Sequence, residues 1–271
     1  MIHTLKYSNT NTYLIEGKNG KLLFDTGWAG TFPAFCHAMG ELGIPVQSID
    51  YVLISHFHPD HCGIAQDIAD TGARILVVDV QKEYVHFADA VFEKEGNLSY
   101  EKIKDDELVI ISEEDSRHFL NKLGIEGRVI CTPGHSNDSV SLVLDEGAVF
   151  VGDLNPLYEL EMHKGTEIEN SWKKILADNP KAIYYGHAKP AFIEEKKGKR
   201  SDGSKLSSDE KNFYNMTEEI VRMIDKGKSV DKICKKTKAT PEFVQDVMRM
   251  YLTHPGVSVQ GILDRIDIKN R

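Results

Sequence analysis

Between His56 and His61 the chain reads His-Phe-His-Pro-Asp-His, which places three imidazoles and one carboxylate within six residues. Imidazole nitrogens and carboxylate oxygens are donors that suit a divalent first-row ion. The run directly follows the apolar segment from Tyr51 to Ser55, which has the pattern of a buried strand, so the donors sit in the turn that leaves it. Alternation lets His56 and His58 point to one side of an extended turn while Asp60 and His61 point elsewhere. That geometry serves two adjacent ions better than one. Burying several such groups with no cation would be costly, which argues against an incidental polar loop.

Further donors stand where later strand patterns end. His135, Asp153 and His187 are each preceded by a glycine, Gly134, Gly152 and Gly186. Glycine allows unusual φ/ψ values and a close backbone approach, both useful in a crowded site.

The elements that must position these donors are legible as patterns. Strands are expected at 12–17 and 21–27, joined through the turn-forming Asn19-Gly20 pair, and again at 51–55, 73–79, 107–112, 127–132, 139–145, 147–153 and, last, 181–186. Helical periodicity falls at 31–43, 62–70, 81–93, 115–123 and 168–178. Strands in hairpins and crossovers with interspersed helices predict an α/β fold of two packed sheets covered by helices. Residues 194–208 are charged and rich in Gly and Ser, as in an exposed linker. Beyond them the pattern is purely helical. Ser207 and Glu210 have capping-box spacing, Ser229 caps a second helix, Pro241 opens a third, and a fourth is expected over 257–266. The division expected is 1–193 for the main domain and 208–271 for a helical cap or dimerisation region.

HxHxDH at 56–61, followed in order by Gly134-His135, Gly152-Asp153 and Gly186-His187, with Asp25-Thr26-Gly27 ahead of them, resembles the metallo-β-lactamase fold superfamily over roughly residues 1–190. The resemblance implies an αββα sandwich with a small C-terminal helical extension and two metal ions at one edge. It implies that His56, His58 and His135 bind the first ion, that Asp60, His61 and His187 bind the second, and that Asp153 bridges them. Zinc is the expected metal, with iron or manganese as alternatives. A hydroxide shared by the ions would attack a carbonyl carbon or phosphorus, and Asp60 would orient it or pass a proton to the leaving group. Asp25 is a candidate to accept the far N–H of a ligand imidazole, with a turn role nearly as strong. Ser55 can hydrogen-bond near the site or simply end its strand. Asn155, Tyr158 and His163 share a segment that can lip the site, although loop roles are the more ordinary reading. His3, His37, His86, His118 and His254 read as surface or packing residues, and Cys62 as a packed thiol.

Charge narrows the chemistry. The chain carries a formal −9, but from Ala191 onward 17 Lys/Arg face 13 Asp/Glu, so residues 1–190 hold −13. An acidic body disfavours broad nucleic-acid binding. The third C-terminal helix opens with Glu242, Gln245 and Asp246, and Arg249 is its one basic residue before His254, which disfavours a DNA-reading helix-turn-helix. Four scattered cysteines, no secretory leader and no long apolar run point to a cytoplasmic protein off the membrane, with a homodimer open. A small ester, lactone or thioester is the leading substrate class. The plan is similar to hydroxyacylglutathione hydrolases and N-acyl homoserine lactonases. It departs from the lactonases at Pro156, where they place a tyrosine, and the tail lacks the basic glutathione-binding pattern of the hydrolases. The alternatives are persulfide dioxygenation at a single iron, a nuclease of the same fold, and a non-catalytic regulator.

Overall fold

Along the strands, alternate apolar residues face opposite ways, as a sheet covered on both faces requires. Leu14, Leu23, Val52 and Ile75 join one core, while Tyr13, Ile15, Leu22, Phe24, Leu53 and Leu76 join another. The computed structural model describes residues 1–193, 208–253, 259, 261–263 and 266.

The first sheet has six strands in sequence order: β1 (Ile2–Leu5), β2 (Thr12–Glu16), β3 (Lys21–Phe24), β4 (Tyr51–Leu53), β5 (Arg74–Val78) and β6 (Leu108–Ile111). β1 to β3 are antiparallel neighbours, and β3 to β6 run parallel. The parallel connections carry helices: α1 (Phe32–Glu41), then α2 (Pro59–Cys62) with α3 (Ala65–Ala69), then α4 (Phe87–Glu95). Phe35, Met39, Ile68, Ala88 and Phe92 from these helices pack on the outer face of the sheet.

After α5 (Ser116–Lys122) comes the second sheet, formed by β7 (Gly127–Cys131), β8 (Val140–Leu144), β9 (Ala148–Phe150), β10 (Ala182–Tyr184) and β11 (Ala191–Phe192). Its spatial order is β11-β10-β9-β8-β7. β9 and β10 are parallel, joined across α6 (Glu167–Ala177), whose Ile168, Trp172 and Ile175 cover the outer face. Between the sheets, Phe24, Leu53 and Leu76 meet Val129, Leu142 and Phe150. The layers are therefore helix, sheet, sheet, helix, an α/β sandwich of the expected αββα type.

Three local outcomes depart from the sequence reading. β1 lies at the sheet edge, and β11 follows β10, which was expected to be the last strand. Both are short, and β11 is partly exposed, so neither carries a strong apolar alternation. The 12–27 hairpin closes over four residues, with Gly17 N–H donating to the Gly20 carbonyl (2.8 Å). Neither Asn19 nor Gly20 adopts positive φ. Asn19 instead ties the loop to the end of α5, donating to the Leu123 and Lys122 carbonyls. The 81–93 pattern splits into a 3₁₀ stretch (Asp79–Tyr84) and α4, and a further 3₁₀ stretch spans Leu157–His163.

A separate compact unit holds α7 (Ser208–Asp225), α8 (Val230–Thr237) and α9 (Pro241–Thr253), the first unit being Met1–Ile193. Ile220, Ile233, Val244, Val247, Ile262 and Ile266 form its own core. Ser229 occupies the N-cap position of α8 without a side-chain bond, whereas the Thr240 hydroxyl accepts the Phe243 N–H (3.2 Å) at the start of α9. The linker at 194–207, Ser207, His254 and most of the expected fourth helix lie outside the described residues.

Candidate metal centre

Each donor named from the sequence stands at or just beyond the end of an element. His56 follows β4, and His58 caps α2, where Pro59 takes the first turn and carries Asp60 and His61 into it. His135 lies in the β7–β8 connection, Asp153 follows β9, and His187 follows β10. Chain order separates these residues widely, and strand ends from both sheets bring them together.

The donors form two groups. His56 Nε2 lies 3.0 Å from His58 Nδ1, which lies 3.2 Å from His135 Nε2. His187 Nε2 lies 2.9 Å from Asp60 Oδ2 and 3.3 Å from His61 Nε2. Asp153 stands between them: Oδ1 is 3.3 Å from His61 Nε2 and 3.4 Å from His187 Nε2, while Oδ2 reaches toward His135 at 3.7 Å. Ligands bonded at about 2.0–2.1 Å around a tetrahedral ion stand about 3.3–3.4 Å apart, so most of these separations fit a shared cation. Asp153 Oδ1 is buried with no hydrogen-bond partner. An unsatisfied buried acceptor costs about 1–3 kcal/mol, and more when it is charged, a cost that a cation removes.

The groups behind the donors fix which nitrogen faces inward. Asp25 Oδ2 accepts His61 Nδ1–H (2.9 Å) and the Ser55 hydroxyl (2.9 Å), and Asp25 Oδ1 accepts Ser55 N–H (2.6 Å). Ser55 Oγ in turn accepts His56 Nδ1–H (3.0 Å). One carboxylate thus orients an imidazole in each group, directly or through a hydroxyl. His187 Nδ1–H donates to the Asn9 carbonyl (2.8 Å), a contact with no side-chain signal in the sequence. Asp138, also unremarked in the sequence, accepts Phe57 N–H (2.7 Å) and so holds the backbone between His56 and His58.

Charge differs between the groups. Burial and the neighbouring imidazoles hold His56 well below the usual histidine range, and burial lowers His135 too. For His61 burial opposes protonation, but Asp153, Asp25 and Asp60 outweigh it and raise the pKa well above that range. His187 rises on the same balance, with Asp153 and Asp60 as its partners. Burial alone would raise Asp60, but His61 and His187 hold it down to about 2.

The glycines beside the donors are required for space. A Cβ on Gly186 would stand 2.7 Å from Asp153 Oδ1 and 2.8 Å from His61 Cε1. At Gly152 (φ +54°) it would stand 2.3 Å from Ser55 Oγ. Gly152→Ala is therefore expected to push Ser55 off His56 and Asp25 and to weaken zinc binding by roughly 10–100-fold. Competition with a chromophoric chelator measures this, and unchanged affinity would break the link between Gly152 and the donors.

Of the lip residues, Asn155 and His163 do not join the donors. Asn155 donates to Glu159 (3.2 Å), the His163 carbonyl accepts the Thr166 hydroxyl (2.6 Å), and the side chain of Tyr158 lies outside the described residues. His3 pairs with Glu16, and burial pushes the Cys62 thiol well above its ordinary pKa, so it stays a packed neutral group.

Comparison with known proteins agrees with this architecture. The beta-lactamase-like protein 2 homolog of Drosophila melanogaster is 30% identical over 70% of this chain and 61% of its own length. An atrochrysone carboxyl ACP thioesterase of Claviceps purpurea is 26% identical over 54% of this chain and 40% of its own. The chain spans between about half and three-fifths of the length of the first curated relatives it matches. A metallo-beta-lactamase family protein from Thermus thermophilus shares the fold, with a TM-score of 0.54 at 17% identity over 99% of this chain and 94% of that one. Residues 6–187 match the model of the metallo-beta-lactamase superfamily, and the chain belongs to that superfamily.

Proposed function

We propose that the chain is a hydrolase that uses two divalent metal ions, zinc by the chemistry of its donors, to open a small ester, lactone or thioester. His56, His58 and His135 would hold one ion, Asp60, His61 and His187 the other, and Asp153 both. The observation that carries this reading is the convergence of two donor groups on one carboxylate whose Oδ1 has no hydrogen bond. Ions bound there supply Lewis acidity, which lowers the pKa of water and polarises the substrate oxygen.

The protein's own groups do the rest. Asp60, held ionised by its neighbours, accepts a hydrogen bond from the attacking water and so orients it. Asp25, Ser55 and Asn9 hold the imidazoles in place before substrate arrives. In the net reaction the water oxygen joins the carbonyl carbon, the C–O or C–S bond breaks, and a proton goes to the departing alcohol or thiol. Five neutral imidazoles and two carboxylates leave two dications with net positive charge, which suits the oxyanion formed on attack. A polyanionic phosphodiester needs further cations, and residues 1–190 carry −13. The relative named as a carboxyl ACP thioesterase supports the thioester arm.

Among the described residues no helix is long and apolar enough to cross a membrane, and all four cysteines are free. We place the chain in the cytoplasm, acting on a small molecule and not on nucleic acid, with α7–α9 as a cap or dimerisation element.

Metal analysis followed by a panel of esters, lactones, thioesters and phosphodiesters tests the reading on zinc-, manganese- and iron-loaded protein. Two ions per chain and ester-like turnover are expected. A single ion at saturation, cleavage of phosphodiesters alone, or oxygen uptake with a persulfide on the iron form would overturn it. Asp60→Asn removes a charged ligand from one group and is expected to weaken that ion at least roughly tenfold while changing the other far less.

A further inference from the structure

We propose that Phe87 forms an acyl-binding subsite that takes the apolar chain of the substrate, an inference that rests on the hydrolase reading and narrows its substrate class. Phe87 opens α4 and is 52% exposed. Its ring centroid lies 5.6 Å from that of His58, the planes tilted by 36°. The other aromatic residue of the helix is fully used: Phe92 is buried, edge-on to Trp28 and stacked on Tyr100. Among the exposed apolar side chains described in Met1–Ile193, Phe87 is the one whose ring meets a donor imidazole.

Within the first donor group His56 is buried, His58 half-buried and His135 exposed, so the group reaches solvent through its last two imidazoles, and Phe87 lies against one of them. A substrate carbonyl addressed to the donors would run the first methylenes of its acyl chain across His58 and onto the Phe87 face. Apolar surface left in water there is unfavourable until a ligand covers it. The cations beside Phe87 are already engaged and offer no free charge to an anionic tail: His86, its neighbour, is tied to Asp89 (3.4 Å) and Asp105 (3.1 Å), and Lys102 also reaches Asp89 (3.8 Å). The subsite therefore selects a neutral, apolar acyl group, and each methylene it covers is expected to strengthen binding roughly two- to fourfold.

The experiment compares full-length, metal-loaded wild type with Phe87→Ala and Phe87→Leu in two arms. In the first, kcat/KM is measured along acetyl to octanoyl esters and thioesters. Wild type is expected to rise with chain length, Phe87→Ala to lose at least roughly tenfold of the octanoyl-to-acetyl ratio, and Phe87→Leu to keep most of it. In the second, calorimetry follows binding of methyl alkyl ketones from C4 to C8, which present a carbonyl but have no acyl bond to hydrolyse. The same length dependence and the same loss in Phe87→Ala are expected. Length dependence of binding without turnover would reject the hydrolase reading and keep the subsite. An equal loss for short and long chains, or an unchanged slope in Phe87→Ala, would reject the subsite, whatever the turnover.

Discussion

Asp153→Ala is expected to lower kcat by roughly 10²–10³-fold or more and to strip both ions from the protein at concentrations that saturate wild type. The magnitude follows from position. Among the described residues Asp153 is the one carboxylate whose own oxygens approach imidazoles of both donor groups, with Oδ1 toward His61 and His187 and Oδ2 toward His135. On the proposed assignment its removal would take a ligand from each ion, and it deletes the charge that chiefly supports both raised imidazoles. The fold should survive at lower stability, because Val151 and Leu154 on either side keep their places in the core under α6. Asp153→Asn keeps the shape and removes the charge, so its loss should fall between wild type and Asp153→Ala. Metal stoichiometry, turnover and far-UV circular dichroism on the same preparations decide the matter. Two tightly held ions in Asp153→Ala, with kcat within a few-fold of wild type, would contradict the bridging role.

Acidification is expected to release the Asp60–His61–His187 ion first, with apparent affinity falling up to about tenfold per pH unit for each proton taken up. The sign comes from the two directions of shift. His61 and His187 have raised values, so without metal they remain protonated above the ordinary histidine value of 6.5, and an entering cation must displace those protons. Affinity at that group therefore climbs as pH rises through the raised values and levels off above them. His56 and His135 have lowered values and are already neutral near 6.5, so these two imidazoles compete for protons only at more acidic pH. Titrating zinc between pH 5.5 and 8.5 in buffers of different ionisation enthalpy separates the two groups by protons released per ion. Equal proton release from both ions would remove the asymmetry.

The donors were legible because chemistry and geometry coincide in one short run. His56, His58, Asp60 and His61 are adjacent in sequence, and the strand end and single helical turn that follow divide them between two groups with little help from the rest of the chain. His135, Asp153 and His187 were legible through the glycines that give them room. The layered fold followed from strand alternation and helical periodicity, which report burial directly. What escaped reading depends on contacts distant in sequence. Asn9 acts through its backbone carbonyl, so its side chain gives no sign of its hold on His187. Ser55 could be named beside the site, but not as the link between Asp25 and His56. Phe87 lay inside an ordinary amphipathic stretch, and only the packing around it shows that, among the described residues, His58 is its one aromatic partner. β1 and β11 are too short to show a period, and partners elsewhere in the sheet decide their pairing.

The donors are drawn from both halves of the sandwich: the β4 end belongs to one sheet, and the β9 and β10 ends to the other. Ions held between them, as proposed, would act as a clasp across the inter-sheet core. A metal that binds the folded chain alone adds about 4 kcal/mol of stability at a thousand times its dissociation constant, a large share of what a domain of this size holds in total. Scarcity of metal would then be felt as a loosening of the whole sandwich, and the lifetime of the protein would track metal supply as closely as its turnover does.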